Sequence, residues 1–225
     1  MVRRATRTTA GRTPLSRERV ITAAVRLADE HGLATPSMRK IAEALDAEAM
    51  SLYNHVANKD ELLDGMIDLV FGELDRPTPG DDWKPAMRRH ATSLRAALGR
   101  HPWALSLLQS RPSPGPGNLR HNNAVLGVLR HAGFDLTLTA HAVSVIDSYV
   151  YGFALQSTNI PIDTPENVAE IAAGILSDTD AEQYPHLTEL IVGHALQPGY
   201  AYADEFGYGL DLILDALERA RPAGP

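Results

Sequence analysis

Apolar positions recur every three to four residues along most of the chain, and no stretch sustains a two-residue alternation of β-branched and polar residues. The pattern predicts an all-α protein. Its first helix follows Ser16, an N-cap residue type, carries Val20, Ala24, Leu27, Ala28 and His31 on its inner face, and stops at Gly32. Thr35-Pro36-Ser37 opens a second helix with Ile41, Ala42 and Leu45 on one side. The chain then reverses at Asp46-Ala47-Glu48, where Asp is one of the few non-glycine residues that tolerate a left-handed backbone. A third short helix places Leu52, Tyr53 and Val56 together. These apolar sets are too small to be buried alone, so they must pack on each other and on a further element. Small Ala42 lets the helices approach. The result is a helix-turn-helix, whose second helix is held out for a DNA major groove.

Asn58 and Glu61 have capping-box spacing, and the helix they start is expected to run to about residue 75 with Leu62, Leu63, Met66, Leu69 and Val70 apolar. Arg76-Pro77-Thr78-Pro79-Gly80 breaks the chain, as does Ser113-Pro114-Gly115-Pro116-Gly117. Further helices are predicted over 83–100, 103–110, 118–132, 136–158, 165–177, 181–195 and 202–220. The one over 136–158 is apolar or small on nearly every side (Ala142, Val145, Ile146, Tyr149, Val150, Phe153, Ala154), which predicts burial all round. The last carries a stripe of Phe206, Leu210, Ile213, Leu214 and Leu217. Either both are core helices of one chain, or they pair with the same helices of a second chain as a four-helix bundle.

Composition narrows the function. A length of 225 residues suits one large or two modest domains. The absence of cysteine excludes disulfides, thiolate zinc sites and a cysteine nucleophile. The basic first residues lack the apolar core of a signal peptide, and no apolar run is long enough for a bilayer, so the expected location is the cytoplasm, away from membranes. The net charge of −7 is unevenly spread. Residues 1–59 hold ten Lys/Arg against six Asp/Glu, a balance of +4; the remainder holds eleven against twenty-two, a balance of −11. That split places any phosphate-binding surface in the N-terminal quarter, because an acidic surface repels the DNA backbone. The expected domains are a disordered basic arm over 1–14, a helix-turn-helix DNA-binding domain over 15–62, and a larger helical ligand-binding and dimerisation domain over 63–225. Arg3, Arg4, Arg7 and Arg12 of the arm either follow DNA or are simply solvated.

Catalytic patterns are weak. Ser37-Met38-Arg39-Lys40 has the S-x-x-K form, but S-D-N and K-T-G are missing and the string lies in the helix-turn-helix. The nine histidines show no H-E-x-x-H spacing, and His186 and His194, eight apart, make a poor chelate. No catalytic residue, metal site or cofactor is expected.

Leu52-Tyr53-x-His55-Val56-x-Asn58-Lys59, spaced as it is after Arg39-Lys40-Ile41-Ala42 and followed by Leu62-Leu63-Asp64, resembles the recognition helix and following turn of the TetR family of bacterial transcriptional repressors, closest to its tetracycline-repressor branch. The resemblance runs from about Ser16 to Asp64. A weaker match continues through Arg111-Pro112, Gly133-Phe134 and Glu205-Phe206-Gly207.

The resemblance implies DNA contacts at Arg39, Ala49, Met50, Ser51, Tyr53, Asn54, His55 and Lys59. Arg39 suits a guanine edge or a phosphate; Ser51, Tyr53 and His55 can donate to phosphate oxygens; Asn54 suits adenine; Lys59 adds charge. For Tyr53 and His55, packing between helices is the alternative. Ala49-Met50 replaces a Gln-Pro pair of the family pattern and Asn54 a Trp, so a different operator is expected, and acidic Asp46 and Glu48 should lower non-specific affinity. The resemblance also implies a homodimer that pairs through the helices over 136–158 and 202–220, and a small-molecule pocket at His90, Leu94, Ser110, Val125 and Gln156, with Leu107 in its wall. Tyr149 adds a polar group to it. Leu107 and Gln156 stand where the tetracycline repressor has a His and a Glu associated with Mg²⁺; neither suits a hard cation. The expected effector is therefore metal-free, neutral and largely apolar, though each pocket residue also reads as an ordinary half-buried core residue. The implied function is a regulator, most simply a repressor, that binds a palindromic operator as a homodimer and is released by its effector. A helical small-molecule sequestering protein without DNA binding is the alternative, and the basic N-terminal quarter argues against it.

Overall fold

Ser16 Oγ accepts the Arg19 amide at 3.3 Å and so starts α1, Arg17–His31, in a computed structural model that describes residues 14–110, 115–159 and 164–222. The arm with Arg3, Arg4, Arg7 and Arg12, and the Arg111-Pro112 pair, lie outside the described residues. Among the described residues there is no strand, and the all-α expectation holds. The chain forms two compact units, Met1–Leu69 and Val70–Pro225.

In the first unit, Gly32 ends α1 at φ 81°. His31, expected on the inner face, is exposed instead, where a basic side chain in the last turn complements the helix dipole. Ser37 Oγ caps α2, Met38–Ala44, through the Lys40 amide. Asp46 then takes φ 50°, the only non-glycine residue with positive φ among those described. It carries the chain into α3, Ala49–Leu52. Ile41, Ala42, Leu52 and Val56 are buried with Val20, Ala24 and Ala28 of α1. α4, Lys59–Gly72, begins with Asn58 Oδ1 accepting the Glu61 amide at 2.8 Å, while Glu61 Oε2 accepts the Ala57 amide at 2.8 Å. The reciprocal box is thus shifted by one residue from its usual Asn58 partner. Arg17 Nε lies 3.2 Å from Glu61 Oε1. Those hydrogen bonds, from Ala57 first and Arg17 second, hold the Glu61 carboxyl below its ordinary range.

α4 stops at Gly72 rather than near residue 75. Glu73 and Leu74 donate to carbonyls three residues back, which tightens the turn, and the Asp75 amide turns aside to Ser93 Oγ at 3.1 Å. The second unit contains α5, Trp83–Arg100; α6, Pro102–Ser110; α7, Pro116–His131; α8, Leu136–Asn159; α9, Pro165–Asp178; α10, Pro185–Leu190; and α11, Tyr202–Ala220. The helix expected over 181–195 is interrupted. Pro185 favours a helix start and holds Tyr184 out of helical geometry (φ −124°, ψ 56°), and Ile191–Ala195 continues α10 as a π-turn.

α5 and α8 form the centre of this unit, with α7 and α11 beside them. The burial of α8 is one-sided. Ala142, Ile146, Val150, Phe153 and Ala154 are inside, whereas Leu136, Val145 and Leu155 are exposed. The α11 stripe of Phe206, Leu210, Leu214 and Leu217 is turned into the chain's own core, not outward to a second chain. The large apolar side chains that α11 leaves exposed are Tyr208, at 68%, and Leu212, at 54%.

Candidate nucleic-acid interface and effector cavity

The helix-turn-helix is held by residues that leave one side free. With Leu52 and Val56 fully buried, the short α3 and the turns after it present Met50 (75% exposed), Tyr53 (46%) and Asn54 to solvent. Tyr53 is therefore not part of the inter-helix packing that its sequence position suggested. Its ring and hydroxyl are available outside. Arg39, Lys40 and Lys59 are exposed and make no ion pair with any described residue. Ala49, Ser51 and His55 are half-buried. Ser51 Oγ donates to the Glu48 carbonyl at 2.6 Å, so it offers lone pairs more readily than a proton. The structure thus gathers the eight expected DNA-contact residues onto α2, α3, the turn after it and the start of α4, with Lys40 beside them, and Arg39, Lys40 and Lys59 form no ion pair among the described residues. This arrangement suits a polyanionic backbone.

The expected effector residues do not converge on one cavity. His90, Leu94, Leu107 and Val125 are buried. Ser110 is exposed and its hydroxyl returns to the Leu107 carbonyl at 3.3 Å. Gln156, also exposed, accepts the Tyr202 hydroxyl at 2.6 Å. Tyr149 donates to the Glu205 and Phe206 carbonyls at 3.1 Å and stacks on Phe206, with ring centroids 5.4 Å apart. His90 meets a residue that sequence reasoning missed: its Nδ1 is 2.9 Å from His121 Nε2, so the two rings share one proton, and its Nε2 is 3.9 Å from Asp147 Oδ1. Burial and the neighbouring His90 push the His121 imidazole down to about 4.

A cavity of about 570 Å³, a size ordinary for ligand sites, opens elsewhere on α5. Thr92, Arg95, Ala96 and Gly99 line it from α5 at helical spacing. Ala154, Ser157 and Thr158 line it from the end of α8, and Pro102 closes the α5–α6 junction. The opening exists because both helices carry small side chains there. A periodic small-residue stripe with one cation, Thr92/Arg95/Ala96/Gly99, was the sequence signal. It was hidden because the neighbouring core stripe on the same helix is far stronger. A neutral effector was expected, yet this cavity has an arginine in its wall.

The same junction touches the chain just beyond α4. Arg100 Nη2 lies 2.6 Å and His101 Nε2 3.2 Å from the Glu73 carboxylate. Burial raises the Glu73 carboxyl, but hydrogen bonds from Arg100 and His101 outweigh it and hold the group below its ordinary range. Among the described residues, no group of three or more His, Asp or Glu side chains is placed to hold a metal ion, and no helix is long and apolar enough to cross a membrane.

Two family patterns match the chain: that of the bacterial regulatory proteins of the tetR family over residues 20–66, and that of the tetracyclin repressor-like C-terminal domain over 76–221. The HTH-type transcriptional repressor DrrR1 of Streptomyces coeruleorubidus is 36% identical over 219 residues, covering 91% of this chain and 77% of its own. The class D tetracycline repressor protein of Escherichia coli is 30% identical over 81% of this chain and 90% of its own. The TetR family protein ActR of Streptomyces coelicolor, solved in complex with actinorhodin, superposes with a TM-score of 0.74 at 27% identity, over 94% of this chain and 100% of ActR. The DNA-reading unit, the helical second unit and these matches agree: the chain belongs to the tetR family of bacterial regulatory proteins and is a ligand-responsive, DNA-binding transcriptional regulator.

Proposed function

We propose that the protein is a cytoplasmic, non-enzymatic repressor that binds a palindromic DNA operator as a homodimer and leaves it when a small molecule occupies the second unit. The observation that carries the DNA half of this reading is the exposed set of Arg39, Met50, Tyr53, Asn54 and Lys59 beside a buried Leu52 and Val56. Arg39 and Asn54 read base edges; Tyr53, Lys59 and His55 fix the phosphate backbone; Ser51, its proton committed to the Glu48 carbonyl, meets DNA only as an acceptor; Met50 and Ala49 meet the groove floor. Relatives whose names describe repression, and ActR with its bound actinorhodin, support the ligand-responsive half.

The effector occupies the cavity between α5 and α8, lined by Thr92, Arg95, Ala96 and Gly99 on one side and Ala154, Ser157 and Thr158 on the other, rather than a pocket formed by His90, Leu94, Leu107, Ser110, Val125, Tyr149 and Gln156. Gly99 and Pro102 of that cavity flank Arg100 and His101, the two residues that hold Glu73. Glu73 directly follows α4, the helix that starts at Lys59 in the DNA-reading unit. A ligand that displaces the junction therefore acts on α4, and through it on the spacing of two recognition helices. Two half-sites must be met at once, so a small change in spacing removes much of the specific affinity.

Selection of bound DNA from a random pool, followed by fluorescence anisotropy, tests the reading. The selected site should be an inverted repeat. Tyr53→Ala and Lys59→Ala should weaken binding with helix content unchanged, and Lys59→Ala should flatten the salt dependence by about one unit of slope. Recovery of no preferred sequence would leave a sequestering protein in its place.

A further inference from the structure

Arg95 is a half-buried cation with little to answer it. Its guanidinium carbon lies 4.7 Å from the ring centroids of both Phe153 and Phe206. One N–H donates to the Ala203 carbonyl at 3.0 Å. No carboxylate among the described residues lies within ion-pair distance, and Asp204 acts on it only at longer range. Burial opposes its charge. Taking a guanidinium partly out of water without a counter-ion is costly, and arginine does not escape the cost by losing its proton. The aromatic rings offset part of it from one side. The remaining donors belong to a side chain that lines the cavity described above.

The far wall has complementary chemistry. Ser157 Oγ donates to the Phe153 carbonyl at 3.0 Å and Thr158 Oγ1 to the Ala154 carbonyl at 2.9 Å. With their protons committed to the helix, these hydroxyls offer lone pairs to a ligand that brings its own donor. Ala96 and Gly99 beside Arg95, with Pro102 at the junction, present small apolar surface that suits a flat apolar body.

We infer that this cavity takes a small-molecule carboxylate, an aromatic hydroxy acid, with Arg95 as its anion anchor and Ser157 and Thr158 accepting from its hydroxyl. The planar fork of arginine matches a carboxylate in two parallel hydrogen bonds, which an isosteric amide cannot reproduce. The inference rests on the second unit being the effector domain and specifies the class of effector. It departs from the neutral ligand that Leu107 and Gln156 suggested.

Calorimetric titration of the full chain, without DNA and at 0.15 M salt, with 6-hydroxy-2-naphthoate and with 6-hydroxy-2-naphthamide, whose hydroxyl lies at the end of the ring system away from the acid or amide group, tests it. The acid should bind the parent protein about tenfold or more tightly than the amide. Arg95→Gln should abolish that preference; Arg95→Lys, which keeps the charge and loses the fork, should retain a smaller one. Ala96→Leu, which fills the space and leaves Arg95 in place, should weaken both ligands. Equal affinity of the parent for acid and amide, a preference that survives Arg95→Gln, or no binding of either at millimolar concentration would overturn the inference. The parent comparison and the lysine variant stand even if the glutamine variant does not fold. Operator binding is measured separately: a chain that binds DNA but shows no acid preference refutes only the anion site, and one that binds the acid but no DNA refutes only the regulatory reading.

Discussion

Ile21 of α1 fills the space in which a side chain on Gly65 of α4 would stand: a Cβ there would fall inside contact distance of Ile21 Cδ1 and 2.9 Å from its Cγ1. Gly65 is in mid-helix, where glycine costs about 1 kcal/mol relative to alanine. The close approach is what that cost secures. Ile21 is buried and cannot swing into water. Gly65→Ala should therefore lower stability to urea by about 1 kcal/mol net, since overpacking costs about 1–3 kcal/mol. Ile21→Val removes Cδ1, so the second substitution should cost much less in its presence. Strict additivity of the two changes would show that this contact does not set the α1–α4 distance.

The outward faces of α8 and α11 give a second prediction. Tyr208→Glu combined with Leu212→Glu should yield a soluble, helical monomer in sedimentation velocity, because both side chains are exposed in the single chain and would be covered only in the proposed dimer. Leu210→Glu should instead give unfolded or aggregated protein, because it places an unpaired charge in the chain's own core. A dimer that survives the first change places the interface elsewhere.

Glu73 should matter for response more than for DNA affinity. Glu73→Gln breaks the contacts with Arg100 and His101 at a cost of about 1 kcal/mol or less, as partly exposed ion pairs do. Its folded-state pKa lies below 4.5, so its contribution is present above that value and disappears as pH falls through the folded value. The variant should lose less stability than the parent on acidification below pH 4.5. It should also bind operator like the parent yet be released less by effector; an unchanged release curve would exclude Glu73 from the coupling route.

His121 predicts a separate pH effect. Its folded-state pKa is pushed from 6.5 down to about 4, so the native state holds it neutral while the unfolded chain gains a proton. Its contribution is complete above about pH 6.5 and is lost as pH falls from there towards 4, with a slope of up to about 1.4 kcal/mol per pH unit. Urea unfolding of His121→Asn across this range should show a shallower decline than the parent; parallel curves would mean that His121 titrates normally.

Local signals were legible in the sequence and long-range ones were not. Ser16, Gly32, Ser37, Asp46 and Asn58 act through hydrogen bonds or backbone preferences within a few residues, so the helix-turn-helix followed from them. Pro185 was equally local, but the periodicity of the residues around it masked its effect on Tyr184. The face of α11 that meets α8 could not be told from the face left outward, because Leu210 and Leu212 are equally apolar and only the placement of α8 distinguishes them. The α5–α8 cavity lies still further from local reach. It depends on two small-residue stripes about sixty positions apart, brought together by the whole unit, and on rings that hold Arg95 from behind.

The shortness of α3 limits how much sequence one copy of the protein can name. Four helical residues and the turn after them bring only three or four side chains to base edges, enough to spell a word of about four base pairs. Such a word recurs by chance every few hundred base pairs. Two words at a fixed separation recur about once in several tens of thousands, against about 10⁶–10⁹ competing sites in a genome. The distance between the words is then as much a part of the address as the letters, and a regulator built on so small a reader is controlled most economically by changing that distance.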